Sequence, residues 1–336
     1  MLATFLRGAT IASILLPIAA FGEPVKLKLA YFSSDQSRTY TIAIKPFVDA
    51  VNADGQGGGL VIEAYPGGAL GKDLSQQAQL VRDGSADIAF VVLGTVADQF
   101  KDHAVIELPG LFRDMREATL VNTRLLASGL IQGYDDFFVI GSFASESQII
   151  HTRVPISSLE DLRGKRIRSD NPIEASALAM LGMSPVILPI GKTQEAISRG
   201  TIDGAATAVG PLADFGLGRV MTYHYFLSLG PSVRSILMNR KKFESLPKAG
   251  RDLIRKYSGE WLAERVVDGY EPNTAAQLER LKTDPLRTAI SPMRTEVEQA
   301  EAAFRAVRNQ WADASPHHRL LLNAVEAEIA KFRAEH

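Results

Sequence analysis

The chain has no cysteine among its 336 residues. Disulfides, thiolate metal sites and cysteine nucleophiles are therefore excluded. An oxidising compartment favours disulfides but does not require them, so this absence does not assign the chain to the cytosol. A lipid-anchored N-terminus, which needs a cysteine after the leader, is not expected either. Net charge is nearly absent: 37 Lys and Arg face 38 Asp and Glu, a formal charge of −1. Such a balance sets up no global field for nucleic acid or an anionic membrane, and neither is expected as a partner. Long apolar runs are scarce. The one candidate, Gly8–Gly22 (GATIASILLPIAAFG), is shorter than the roughly 20 residues of a spanning helix and contains Pro17. Arg7 precedes it, and Ala20-Phe21-Gly22 is small at both outer positions. Residues 1–22 are expected to be a cleaved signal peptide, leaving a periplasmic chain that does not itself insert in the membrane.

Catalytic signatures fail one by one. Ser245-Leu246-Pro247-Lys248 matches S-x-x-K and Ser169-Asp170-Asn171 matches S-D-N, both found in penicillin-interacting serine enzymes. The third element is missing, because Gln194 follows Lys192-Thr193, and the order of the other two is reversed. Ser245 has a simpler role as the cap of a helix starting at Leu246-Pro247. Gly191-Lys192-Thr193 resembles the end of a phosphate loop, but the glycine required five residues earlier is Val186. None of the six histidines pairs with another at i, i+4, and the adjacent His317 and His318 cannot face one metal from a helix. His151 and His224 read as satisfied structural histidines. No cofactor or metal is expected, and no enzymatic activity.

What is present is an alternation of short apolar strands and amphipathic helices. Length suggests two domains, and 46% hydrophobic residues are enough for two cores. Strands are expected at Lys26–Ala30, Leu60–Tyr65 after a glycine-rich turn at Gly55–Gly59, and Ile88–Val92. Helices are expected at Thr41–Val51 and Leu74–Arg82. This order argues for an α/β sheet. A second set begins near Phe137: strands at Phe138–Gly141, Gln148–Thr152, Lys165–Arg168, Val186–Pro189 and Asp203–Thr207, with helices at Pro172–Leu181 and Thr193–Arg199. Ser157-Ser158-Leu159-Glu160 reads as a capping box. Tyr223–Phe226 and Ser235–Asn239 are strand-like. Beyond Lys241 the pattern is almost wholly helical. Ser291-Pro292 signals a helix start, with Met293, Val297, Ala300, Phe304, Val307 and Trp311 on one face. A last helix from about Pro316 should bury Leu321, Val325, Ile329 and Phe332. Arg168 ends a strand just before a helix opens, where α/β folds place ligands, and its planar fork suits a carboxylate.

Six segments in order carry a family resemblance. They are Tyr65-Pro66-Gly67-Gly68-Ala69-Leu70-Gly71, the V-x-x-G-x-x-D-x-A stretch Val81–Ala89, and Glu107-Leu108-Pro109-Gly110-Leu111-Phe112. Then come Pro155–Arg168 (PISSLEDLRGKRIR), Leu181–Val186 (LGMSPV) and Arg199-Gly200-Thr201-Ile202-Asp203-Gly204. From about Lys26 to Trp261 the chain resembles the DctP-like substrate-binding proteins of TRAP transporters. The resemblance implies an α/β, two-lobed periplasmic binding protein fold with hinge strands and a long lobe-spanning helix. It implies a first lobe of 23–144 and 234–272 and a second of 145–233 and 273–336, crossing near Ser145, Arg234 and Pro272. It implies capture of a small organic carboxylate by hinge closure and delivery to an ion-coupled TRAP permease. A ligand-capturing sensor component, or an exported enzyme on the same fold, are the alternatives.

The same resemblance assigns Arg168 as the carboxylate-binding residue. Gln148 stands where many members carry a second arginine, and Thr207 where many carry asparagine. Ile190 replaces an aromatic residue, Val92 an acidic one, and Ala205, Ala206 and Ala208 leave room. The expected ligand is a monocarboxylate with an apolar or aromatic body, with aromatic and 2-oxo acids as the candidate classes. Phe90 should pack on it, with Tyr31 and Asp73 on loops facing the cleft.

Overall fold

The computed structural model describes residues 24–55 and 59–335, so the expected signal peptide and part of the glycine-rich turn lie outside it. Two sheets organise the chain, and they define a two-lobed fold. The first holds β1 (Val25–Ala30), β2 (Leu60–Tyr65), β3 (Ile88–Val92), β4 (Phe137–Ala144) and β10 (Val233–Asn239), in the order β2-β1-β3-β10-β4. The second holds β5 (Ile149–Thr152), β6 (Arg166–Ser169), β7 (Ser184–Ile187), β8 (Gly204–Thr207), β9 (Tyr223–Tyr225) and β11 (Thr288–Ile290), in the order β11-β9-β5-β8-β6-β7.

Local sequence explains the strands. In β1, Lys26 and Lys28 point outward while Leu27 and Leu29 are buried, the period of two that a half-covered strand requires. Every residue of β3 (IAFVV) is buried, because helices and neighbouring strands cover both faces. β1 runs parallel to β2 and β3, and β10 returns antiparallel between β3 and β4. The carboxyl ends of β1, β3 and β4 therefore share one edge with the start of β10. In the second sheet β6 is parallel to β7 and β8, so Arg168 and Thr207 share an edge too.

The chain passes from β4 to β5, and from β9 to β10, through two segments bonded to each other. Ser145 N–H donates to the Ser232 carbonyl at 2.8 Å, and Gln148 N–H to that of Gly230 at 2.9 Å. The long helix Glu260–Thr283 makes a third link. It buries Leu262, Val266 and Tyr270 in the first core, and Leu281 in the core under β8.

Several expectations are corrected. Residues 115–127 form a helix that sequence patterning did not reveal. Its buried face includes Glu117, Thr119, Asn122 and Thr123, which interrupt the apolar stripe. These groups have internal partners: Asn122 Nδ2 donates to Ser142 Oγ at 3.0 Å, and Ala144 N–H donates to Thr119 Oγ1 at 3.2 Å. The acid of the turn near Ser157 is Asp161, not Glu160; its Oδ2 accepts from the N–H groups of Ser157 and Ser158. The C-terminal third is not wholly helical, because β11 pairs with β9. Arg294–Asp313 begins after Met293 rather than after Ser291. Met293 is 61% exposed and Val297 is exposed, so the buried stripe starts at Ala300. Ser245 closes Arg240–Ser245, its Oγ donating to the Lys242 carbonyl, and does not cap the next helix. The last helix, Pro316–Glu335, buries Leu321, Val325, Ile329 and Phe332 as expected. It packs on Met115–Ala127, where Arg333 donates to buried Glu117 at 2.7 Å.

Candidate ligand-binding site

Arg168 pairs in register with Val186 of β7 and Ala205 of β8, which fixes its direction at the sheet edge. Only 2% of the residue is exposed. Its Nε donates to the Leu188 carbonyl at 2.7 Å, and one Nη to the Ala206 carbonyl at 3.2 Å. Among the described residues it forms no ion pair. A buried guanidinium without a counter-ion is expensive, by several kcal/mol. Two carbonyl dipoles offset part of that and hold the plane of the fork. The remaining N–H groups are left for an anion, which could be gripped at two points.

The guanidinium lines a cavity of about 60 Å³ between the lobes. Of the residues expected at the site, Arg168, Thr207, Phe90 and Tyr31 line this cavity. Gln148 and Asp73 do not. Gln148 is buried behind it, and its Nε2 donates to Asp170 Oδ1 at 3.2 Å. Asp73 caps the short turn Leu74–Gln76, with Oδ1 accepting from Ser75 N–H at 2.9 Å and Ser75 Oγ at 2.8 Å. Those two bonds hold its carboxyl below the usual range, and Leu74 takes the place at the cavity wall.

The first-lobe wall is aromatic. Phe90 lies edge-on to Tyr31, ring centroids 5.5 Å apart, and tilted against Phe143 at 6.2 Å. Tyr31 Oη shares a hydrogen bond with Ser37 Oγ at 2.7 Å, and burial pushes its phenol up. Ile190, Val92 and Ala208 add apolar lining, in keeping with the small or less polar residues noted there.

Residues that sequence reasoning missed are charged. Asp170 and Arg234 line the cavity, and so does Arg38. Arg38 joins Glu146 at 2.5 Å, donates to Gln277 Oε1 and Thr274 Oγ1 at 3.3 Å, and lies 4.6 Å over the Tyr270 ring. It thereby ties the first lobe to a crossing segment and to the long helix. Glycines permit this closeness. A Cβ on Gly210 would fall 2.2 Å from an Arg38 nitrogen, and one on Gly94 would fall 2.9 Å from the Asp170 carbonyl oxygen.

Two buried acids stand behind Asp170. Burial first, and then the charge of Asp170, push Glu107 up to about 8. The same two causes raise Glu174, against the pull of Arg168. Both glutamates are thus held toward the neutral form. Beneath Thr207 runs a directed relay. Arg287, which can only donate, points Nη1 at His224 Nε2 at 3.4 Å. The His224 Nδ1 proton then meets His151 Nδ1 at 2.8 Å, and His151 Nε2 donates to the Thr207 carbonyl at 3.2 Å. Burial drives both rings well below the ordinary value, to about 3 for His151 and about 4 for His224, so both are neutral.

Two α/β lobes with an enclosed guanidinium between them define a solute-binding protein of the two-lobed class. Known proteins agree. The model of bacterial extracellular solute-binding protein family 7 (DctP) matches residues 29–314, and the chain belongs to that family. Its members are solute receptors of TRAP transporters, not enzymes; they bind small organic acids and work with a membrane permease. YiiZ of Salmonella typhimurium is 29% identical over 239 residues, spanning 66% of this chain and 68% of its own. A TRAP solute-binding protein of Rhodoferax ferrireducens, solved with copurified benzoate, superposes with a TM-score of 0.85 at 24% identity, over 91% of this chain and 98% of that one. A marine metagenome protein described as specific for aromatic acids, solved with 3-hydroxybenzoate, gives 0.83 at 24% identity, over 92% and 99%. No helix among the described residues is long and apolar enough to cross a membrane.

Proposed function

We propose that this chain captures a small organic monocarboxylate with an apolar or aromatic body in the periplasm, closes its lobes on it, and delivers it to an ion-coupled TRAP permease. The observation that carries this is the buried Arg168 guanidinium, which faces the interlobe cavity and forms no ion pair among the described residues. The aromatic wall around Phe90 supports an apolar or ring-shaped body, and so do the benzoate and 3-hydroxybenzoate held by the two structural neighbours. In this reading the hinge lies at the crossings near Ser145, Arg234 and Pro272. It divides 23–144 with 234–272 from 145–233 with 273–336, and the last helix straps back onto the first lobe. Closure excludes water, which strengthens the charge pair at Arg168. Only contacts made in the closed form bias the equilibrium toward it.

A thermal-shift screen of aliphatic, 2-oxo and aromatic acids, each beside its uncharged amide, tests this. At least one acid should raise the melting temperature by mass action while its amide does not. Amides stabilising as well as acids, or no acid stabilising at all, would refute the carboxylate reading.

A further inference from the structure

We infer that the cavity contains a second recognition point, the Asp170 carboxylate, which accepts a hydrogen bond from a hydroxyl or ammonium group on the same ligand. This rests on the carboxylate reading of Arg168 and narrows it. The ligand class becomes a monocarboxylate that also carries a hydrogen-bond donor.

Asp170 was conspicuous in the sequence only as part of Ser169-Asp170-Asn171, a motif that no chemistry absorbed. In the structure it lines the cavity and is 7% exposed. Oδ1 accepts from Gln148 Nε2 at 3.2 Å and from Asn171 Nδ2 at 3.0 Å. Oδ2 accepts from no described residue, and the carboxylate forms no ion pair. That oxygen is open to the cavity rather than sealed in the protein, so a ligand that displaces cavity water there must bring an O–H or N–H or leave it unpaired. The oxygen is also held in place, because Gln148 and Asn171 fix the other half of the carboxylate. Neither glutamate behind it donates to it: Glu174 Oε2 accepts from Ser169 Oγ and from the Asp170 N–H, and Glu107 Oε1 accepts from Val233 N–H.

Charge points the same way. Arg38 is matched by Glu146. Arg168 and Arg234 line the cavity with carbonyl partners only. Two carboxylates line it beside them: Asp170, and Asp214, whose residue is exposed overall but whose carboxyl feels the charges of Arg38 and Arg234. A second ligand anion would face Asp170 and be repelled, whereas a donor group is attracted.

Matched ligand sets test this by calorimetry. One set is mandelate and phenylglycine against phenylacetate and phenylglyoxylate; the other is 3-hydroxybenzoate against benzoate and 3-methoxybenzoate. In the wild type, a donor-bearing acid should bind at least about tenfold tighter than its parent, because a site built around a buried acceptor rejects ligands that leave it unpaired. Mandelate against phenylglycine then separates hydroxyl from ammonium. In Asp170→Asn the preference should vanish, donor-bearing and parent acids binding that variant within about twofold of each other. Phenylglyoxylate or 3-methoxybenzoate should gain if the new amide turns its N–H inward. Equal binding of donor-bearing and parent acids in both sets overturns the inference, as does a preference that survives in Asp170→Asn. Those outcomes leave Arg168 untouched. Failure of every acid to bind removes the carboxylate reading and this inference with it. The wild-type comparison stands even if the variant does not fold.

Discussion

The two walls of the cavity are built from different materials. From the first lobe come Tyr31, Phe32, Phe90 and Phe143, rings 5.3 to 6.2 Å apart, edge-on between Tyr31 and Phe90 and tilted in the other pairs. From the second come Arg168, Asp170 and Thr207, polar groups at or just past strand ends, with Ala208, Ile190 and a single ring, Phe215, beside them. The polar wall is braced from behind. Two carbonyls hold Arg168, Gln148 and Asn171 hold Asp170, and the histidine relay from Arg287 holds the Thr207 carbonyl. The aromatic wall needs no such bracing, because dispersion and ring geometry are tolerant of small shifts. The difference teaches a division of labour: Arg168 and Asp170 sit braced on the rigid sheet edge of one lobe, and the other supplies most of the rings, with Arg38 and Arg234 among them.

That comparison can be broken at the seam. Gly94 of the first lobe lies where an added Cβ would stand 2.8 Å from Asn171 Cβ and 2.9 Å from the Asp170 carbonyl oxygen. Neither atom can swing away. Gly94→Ala should therefore hold the walls apart and weaken binding of any acid ligand by about tenfold, roughly 1.4 kcal/mol, while the unliganded melting temperature stays nearly constant. Gly191→Ala, with nothing within 4 Å of the new carbon, is the matched control. Wild-type affinity in Gly94→Ala would mean that the liganded lobes do not meet there.

A smaller effect sharpens the boundary of the site. Asp73 spends its side chain on capping Leu74–Gln76. Asp73→Ala should cost about 1 kcal/mol of stability, the ordinary price of a lost cap, and leave affinity within twofold. A large loss of affinity in titrations of that variant would bring Asp73 back to the ligand.

Much of this was legible in the sequence because it is local. Asp170-Asn171-Pro172 opens a helix by chemistry visible in three residues: Asn171 Oδ1 accepts from Glu174 N–H at 2.7 Å, and proline fills the first position. Arg168, just upstream, inherited its place at the sheet edge from that junction. The other charged lining was not legible. Arg234 reaches the cavity because β10 runs antiparallel and so begins where β3 ends, opposite Val92. Arg38 acquires its role from Glu146 and Gln277, more than a hundred residues away. Gln148 drew attention as a substitute for arginine, yet its neighbour in space is a carboxylate, so it positions rather than binds. The helix Met115–Ala127 was hidden for a related reason. Its buried polar residues look like surface until Ser142 and Arg333 are seen to satisfy them.

The most direct measurement of the central claim is calorimetric titration of the best-binding acid from the thermal screen into the wild type and Arg168→Lys. Lysine keeps the charge but loses the planar two-point grip and the carbonyl bonds that orient it. Affinity should fall at least about tenfold, roughly 1.4 kcal/mol, with the fold intact. Equal affinity in the two proteins would contradict the account.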